Sequence, residues 1–339
     1  MRSLPKTILA GLAGVALLPV AACDRIPVAI GDVNSIIVTA DPELWSQAEA
    51  SLLPALERTV FTVRDEKTFK VTYQTPWEEV WFDLRLFKQQ LLIGTESDPW
   101  MTDGLARVDE PVTPPQVLQA RDVWVRDQLV TMVVLEEEGV SVEAVSEFTS
   151  TLAELFDRQY RDWVVARMFI TGIDTAQARA LEEGFGFSLL VPEVYDYEVR
   201  DSVHIFRNDN PDPSELIRQF SITWKSPLPL EPPGESLLEW RARIVEDYYA
   251  FPQVVNLENV FEGTETVDGK PAYTIQAVWE NPPGEYPAAG PLIVKAIDCP
   301  DQDRRYFLDA WLYAPSREKY EYMLQLEEIL TSFRCSGSR

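Results

Sequence analysis

One histidine stands in 339 residues, with only three cysteines. The single imidazole, His204, removes paired-histidine metal sites and leaves one candidate base for any nucleophilic triad. Nucleophile elbow, phosphate-cradling glycine loop and Cys–His pairing are all missing from the sequence. Apolar runs are short: Ile8 to Val20 is 13 residues, against about 20 for a helix that crosses the hydrocarbon core. Positive charge is scarce as well, 30 Lys and Arg against 55 Asp and Glu. Two of the basic residues and none of the acidic ones precede Cys23, so the chain from Cys23 onward carries 27 excess negative charges. A surface of that sign repels phosphate backbones, and no nucleic-acid partner is expected.

What the first residues do contain is an order. Arg2 and Lys6 are followed by the apolar run and then by Ala21–Ala22–Cys23. A cationic start, a short greasy stretch and small residues are the layout of a secretory signal peptide. Val20–Ala21–Ala22–Cys23 also resembles the lipobox of bacterial lipoproteins, in which the cysteine is acylated and the peptide is cut before it. The resemblance implies a signal peptide over 1–22, acylation of Cys23 and a tether over 23–33. The membrane partner is then reached through acyl chains, since surface charge cannot supply the attraction. The anchored body would face the periplasm, with the choice of inner or outer membrane open. An ordinary signal peptide that happens to meet a cysteine is the plainer reading. Cys299 and Cys335 remain as an even pair in a compartment that permits disulfides. Bridged, they would stabilise by roughly 3–4 kcal/mol in the chain-entropy model; two buried thiols are the alternative. Neither a metal nor a cofactor is expected.

Past the anchor, periodicity predicts an α+β protein with mainly antiparallel sheets under amphipathic helices. Asp41 and Pro42 read as the cap and first residue of a helix whose apolar positions are Leu44, Ala48, Leu52 and Leu56. Pro54 should kink or end it. "DQLVTMVVLEEEG" reads as a strand, followed by a long helix with a stripe through Val145, Phe148, Leu152, Leu155, Phe156, Trp163, Ala166 and Ile170. Asp174 or Thr175 starts a short helix that Gly184 or Gly186 ends. Asp268–Gly269 supplies the tight turn of a long hairpin. Two passages, "QLVTMVVLEEEGVSVEAVSEFTSTLAELF" and "YFLDAWLYAPSREKYEYMLQLEEILTSF", share a strand–turn–helix layout. They predict two similar α/β sandwich halves, 34–172 and 173–335, with coincidence as the competing explanation.

Carboxylates could still perform acid/base work. Glu193, Asp196 and Glu198 are the candidates, Asp196 and Glu198 sharing a face if the segment is a strand; a solvated strand face is the bland alternative. Asn208, Asn210 and Asp212 have the beginnings of a calcium loop, but Pro213 stands where glycine is needed, so a turn is expected. His204 alternates with Val203 and Ile205 and reads as a surface or packed structural histidine. Trp224, Trp240, Trp279 and Trp311 read as core before sugar platform. No residue is assigned a catalytic role.

"DVWVRDQLVTMVV", "FGFSLLVPEVY", "GPLIV" and "LYAPSREKYEYMLQLEEIL" together resemble the domain-of-unknown-function 4837 family of Bacteroidota lipoproteins. That resemblance implies an exported lipid anchor and carries no activity, ligand or catalytic residue. The hairpin "VDGKPAYTI" and the ending "LEEILTSF" are similar, at the level of architecture, to PsbP-like and DcrB-like domains, which usually bind partners. The expectation is a non-catalytic binding or scaffold protein of the envelope whose protein or ligand partner is unknown. A carboxylate-dependent hydrolase of envelope glycans and a purely structural tether are the alternatives.

Overall fold

A computed structural model describes residues 26–138 and 140–336. Cys23, its signal peptide and the start of the tether lie outside the described residues.

The N-terminal half runs β1 (Ser35–Thr39), α1 (Pro42–Leu56), β2 (Thr59–Phe61), β3 (Asp65–Lys67), β4 (Lys70–Tyr73), α2 (Val80–Leu84), β5 (Gln89–Thr95), α3 (Thr102–Leu105), β6 (Gln116–Arg121), β7 (Leu129–Leu135), α4 (Val142–Ser146) and α5 (Thr149–Met168). Asp41 caps α1 by accepting the Glu43 N–H at 2.8 Å, and the helix ends two residues after Pro54. The five-stranded sheet has the order β4-β1-β5-β7-β6, parallel except where β6 joins β7. β5 and β7 are buried along their whole length, as strands covered on both faces must be. Helices α1, α4 and α5 cover one face, and α2 and α3 cover the other.

The C-terminal half runs α6 (Thr175–Phe185), β8 (Phe187–Ser188), β9 (Asp196–Arg200), β10 (Val203–Asn208), β11 (Ile217–Lys225), α7 (Gly234–Tyr248), β12 (Val254–Val267), β13 (Lys270–Glu280), β14 (Ala289–Cys299), β15 (Arg304–Tyr313), α8 (Tyr320–Thr331) and β16 (Arg334–Cys335). Its seven-stranded sheet, β12-β13-β14-β15-β11-β10-β9, is antiparallel throughout. Asp268 and Gly269 both take positive φ, 53° and 71°, which is the two-residue turn that matches strand twist. Cys299 and Cys335 are disulfide-bonded, their Cα atoms 6.4 Å apart.

The α+β class and the helix-covered sheets are as the sequence predicts. The halves are less alike than the shared strand–turn–helix layout implies, because one sheet is mostly parallel and the other antiparallel. The α5 stripe also differs from its expected course. Its inward residues are Leu152, Phe156, Tyr160, Val164 and Met168, a strict fourfold spacing, whereas Ile170 is 82% exposed. At 3.6 residues per turn each four-residue step turns the helix by about 40° past a full turn, so the buried line winds around α5 while the expected stripe runs straight down one side and leaves the core near its end.

Helix α8 joins the halves. Leu324 packs in the N-terminal core, while Leu326, Ile329 and Leu330 pack in the C-terminal one. Tyr160 of α5 stacks on Tyr320 of α8 with centroids 5.8 Å apart.

Candidate functional site

Alternation along β15 sorts its residues between two layers. Tyr306, Leu308, Ala310 and Leu312 face the core under α6 and α8, and Phe307 and Trp311 face α7. Asp309 falls on the α7 face between two aromatics and is fully buried. A bare carboxylate there would be prohibitively desolvated, and two groups hold it, Arg241 and Tyr249. Arg241, also fully buried, descends from α7 and donates from Nε to Asp309 Oδ1 at 3.0 Å. The Tyr249 hydroxyl donates to Oδ2 at 2.6 Å, so the Ser221 hydroxyl 2.7 Å away donates to Tyr249. Arg241 also donates to Gln253 Oε1 at 2.6 Å. Burial, and then the Asp309 charge, hold the Tyr249 phenol well above its ordinary range.

α7 ends beside this network, and the sheet face beyond it is left open. The chain turns away through Phe251 and Pro252 and exposes a cavity of about 310 Å³. Its walls are chiefly aromatic: Trp279, Trp311, Tyr313, Phe251 and the rim residue Tyr286, which is 76% exposed. Trp279 is fixed by donating to the Leu312 carbonyl at 3.1 Å, and Gly290 makes room for that contact. A Cβ at Gly290 would lie 1.8 Å from the Leu312 oxygen. Two cavity-lining residues keep buried polar atoms without a partner, the Trp311 indole N–H and the Asn281 side-chain oxygen. Such atoms are costly to leave unpaired, and a concave, chiefly aromatic hollow is the build of a ligand pocket. Glu285 is the one carboxylate among its lining residues.

A second hollow, about 440 Å³, lies between the halves. Five cations line it, but four are occupied by carboxylates: Lys67 by Glu57, Lys70 by Glu318, Arg167 by Glu321 and Arg317 by Glu215.

The residues singled out in the sequence do not converge on either hollow, apart from two tryptophans. Glu193, Asp196 and Glu198 are exposed, the last two on edge strand β9, with Glu198 paired to Arg200 at 2.9 Å. Asn208 and Asp212 accept backbone N–H groups of Asn210 and Ser214, which makes the stretch a turn. His204 is fully buried, its Nδ1 2.8 Å from the Tyr197 hydroxyl and its ring flanked by Phe185, Phe187 and Trp224. Burial alone pulls its pKa down to about 4. Trp240 packs on Phe307 and Trp224 on His204, whereas Trp279 and Trp311 are both core and cavity wall. Among the described residues no group of three or more His, Cys, Asp or Glu is placed to hold a metal. The Arg241–Asp309 pair was not read from the sequence. Its one signal is a cation at a position of α7 that helical spacing turns inward with Leu237, Ile244 and Val245.

Residues 174–332 match the family described as "Domain of unknown function (DUF4837)". The match covers the C-terminal half, with α6 through α8, and stops short of "DVWVRDQLVTMVV". No curated protein matches the chain. Among solved structures, the chain overlaps the Ran-binding protein Mog1p of Saccharomyces cerevisiae at 11% identity and a TM-score of 0.31, over 45% of this chain and 92% of that one. It overlaps LpqN, described as involved in cell envelope biogenesis of Mycobacterium tuberculosis, at 14% identity and a TM-score of 0.28, over 44% and 83%. Human STARD10 overlaps at 10% identity and a TM-score of 0.19, over 46% and 74%. Overlaps this loose carry no function across. No helix among the described residues is long and apolar enough to cross a membrane.

Proposed function

We propose that this chain is an exported envelope lipoprotein, anchored through acylated Cys23, that binds a small apolar or aromatic group in the cavity beside α7. The carrying observation is that hollow and its aromatic walls, Trp279, Trp311, Tyr313 and Phe251. An occupant with a flat apolar body would stack on these rings. The role is binding rather than hydrolysis: a glycosidase sets two carboxyl groups about 5–9 Å apart across a cleft, and this wall carries Glu285 alone. The Arg241–Asp309 pair acts from behind, holding Tyr249 and Gln253 on either side of Phe251 and Pro252, which border the hollow.

The test is a titration of the purified protein with anilinonaphthalene sulfonate, an apolar aromatic anion, followed by its fluorescence. Saturable one-to-one binding that weakens at least roughly fivefold in Tyr286→Ala and Phe251→Ala supports the reading, a loss of about 1 kcal/mol per aromatic contact. Binding that these variants leave unchanged, or none, removes it. The anchor is checked separately by the intact mass and membrane fractionation of wild type beside Cys23→Ser.

A further inference from the structure

The stretch expected to be a tether is too short to act as one. Val28 already forms a bridge with Arg126, and Ile30 forms one with Phe87. Ala29 donates its N–H to the Arg126 carbonyl at 2.8 Å, and Ile30 accepts the Lys88 N–H at 3.0 Å. The chain is therefore part of the folded body from Val28 onward. Four residues lie between Cys23 and Val28, and the five steps, at about 3.3–3.6 Å each, span at most about 18 Å. A body whose cysteine is acylated cannot stand away from the lipid on such a stem. It must rest on the bilayer with the surface around Val28.

That surface is built for it. Along the ribbon, Ile26, Val28 and Ile30 point outward and are 52%, 47% and 51% exposed, while Ala29 between them is buried. Ile30 donates to the Leu86 carbonyl at 3.0 Å, which sets the ribbon beside the end of α2. α2 adds Phe82, 53% exposed, which lies under the Arg85 guanidinium at 4.7 Å. Arg126 flanks the ribbon, its Nε donating to the Ile26 carbonyl at 3.2 Å. In a chain with a large acidic excess, cations at the border of an apolar strip match headgroup phosphates. Asp83 on the same helix tempers that attraction, so apolar burial is the main term.

We infer that Ile26, Val28, Ile30 and Phe82 form the membrane-seated face of the protein, lying at the headgroup level of the leaflet that holds the acyl chains. The inference rests on the acylation of Cys23 and goes beyond it by fixing which face meets the lipid.

The experiment uses the full chain, purified from membranes and reconstituted in phosphatidylcholine vesicles with and without nitroxide-headgroup lipid. Val28→Cys, Phe82→Cys, Leu230→Cys and Leu257→Cys each receive one environment-sensitive fluorophore; Cys299 and Cys335 are bridged, and an acylated Cys23 does not react. Leu230 and Leu257 are 97% and 73% exposed in the C-terminal half and report water. Blue-shifted emission and at least roughly twofold nitroxide quenching at 28 and 82, with neither at 230 and 257, is the expected result for an interfacial face. Labels at 28 and 82 as wet and unquenched as those at 230 and 257 overturn the orientation. Intact mass on the same sample separates the two failures. An acylated, vesicle-bound chain with wet labels refutes only the seated face, whereas an unacylated, soluble chain refutes the anchor and the face together.

Discussion

Glu66 Oε2 accepts the backbone N–H of Lys319 at 2.7 Å and that of Tyr320 at 3.0 Å, across 253 residues of sequence. Helix α8 has no capping side chain of its own, so a carboxylate from the N-terminal half satisfies donors that the helix leaves open. The same carboxylate stands 3.9 Å from the Lys319 ammonium, which burial pulls below the usual lysine range and Glu66 pushes back. One acid thus starts the helix that both cores share.

Glu66→Ala should destabilise the protein by about 2–3 kcal/mol, the sum of a lost cap and a buried lysine left without its counter-charge. Glu66→Gln keeps an acceptor and should lose less. Urea midpoints at constant m-value measure both; an alanine variant as stable as wild type would mean that α8 does not depend on this contact.

Arg241 and Asp309 are each almost wholly buried, and their partners satisfy both. Removing either alone strands the other, so Arg241→Met or Asp309→Leu should cost about 3–5 kcal/mol. The double variant should recover most of that loss, because no charge is then left buried. A double-mutant cycle by denaturant unfolding shows whether the pair couples this way.

His204 gives a signed pH dependence. Its folded pKa of about 4 lies below the ordinary 6.5, so the folded state prefers the neutral ring. The unfolded chain binds the proton first, and stability should be full above about pH 6.5 and fall as the pH drops towards 4. A gap of that size is worth at most about 3 kcal/mol. His204→Phe should flatten the stability profile between those pH values relative to wild type; parallel profiles would show that the ring titrates normally.

Cys299 and Cys335 close a loop with a sequence separation of 36 and staple the end of β14 to the short strand after α8. Cys335→Ser should lower stability by roughly 3–4 kcal/mol, with reduction of the wild type causing a similar loss. If dithiothreitol left the wild-type unfolding midpoint unchanged, the bridge would carry no such stabilisation.

Much of this was legible in the chain because it depends on neighbours in sequence. Asp41 before Pro42, Gly186 at positive φ after Phe185 and the Asp268–Gly269 turn are local choices that backbone sterics and capping dictate. The β strand–turn–α layouts were also readable, since alternation and helical spacing are properties of a single segment. Parallel or antiparallel pairing was not, because β1 meets β4 and β5 only after intervening helices have turned the chain. The α5 stripe went astray for a related reason: Tyr160 and Trp163 are both aromatic, and only packing against α8 decides which one turns inward.

The sequence by itself settled the acidic surface, the α+β class and the positions of the three cysteines. It also supplied the expectation of a lipid anchor, through residue order alone. The tertiary structure decided the rest. It laid residues 28–30 against Phe87 and Arg126, placed Arg241 over Asp309 from 68 positions away, and opened an aromatic hollow where α7 ends. Composition and periodicity describe how one segment partitions between water and core. A pocket or a seated face is a meeting of segments, and its geometry exists only once the backbone has brought them together.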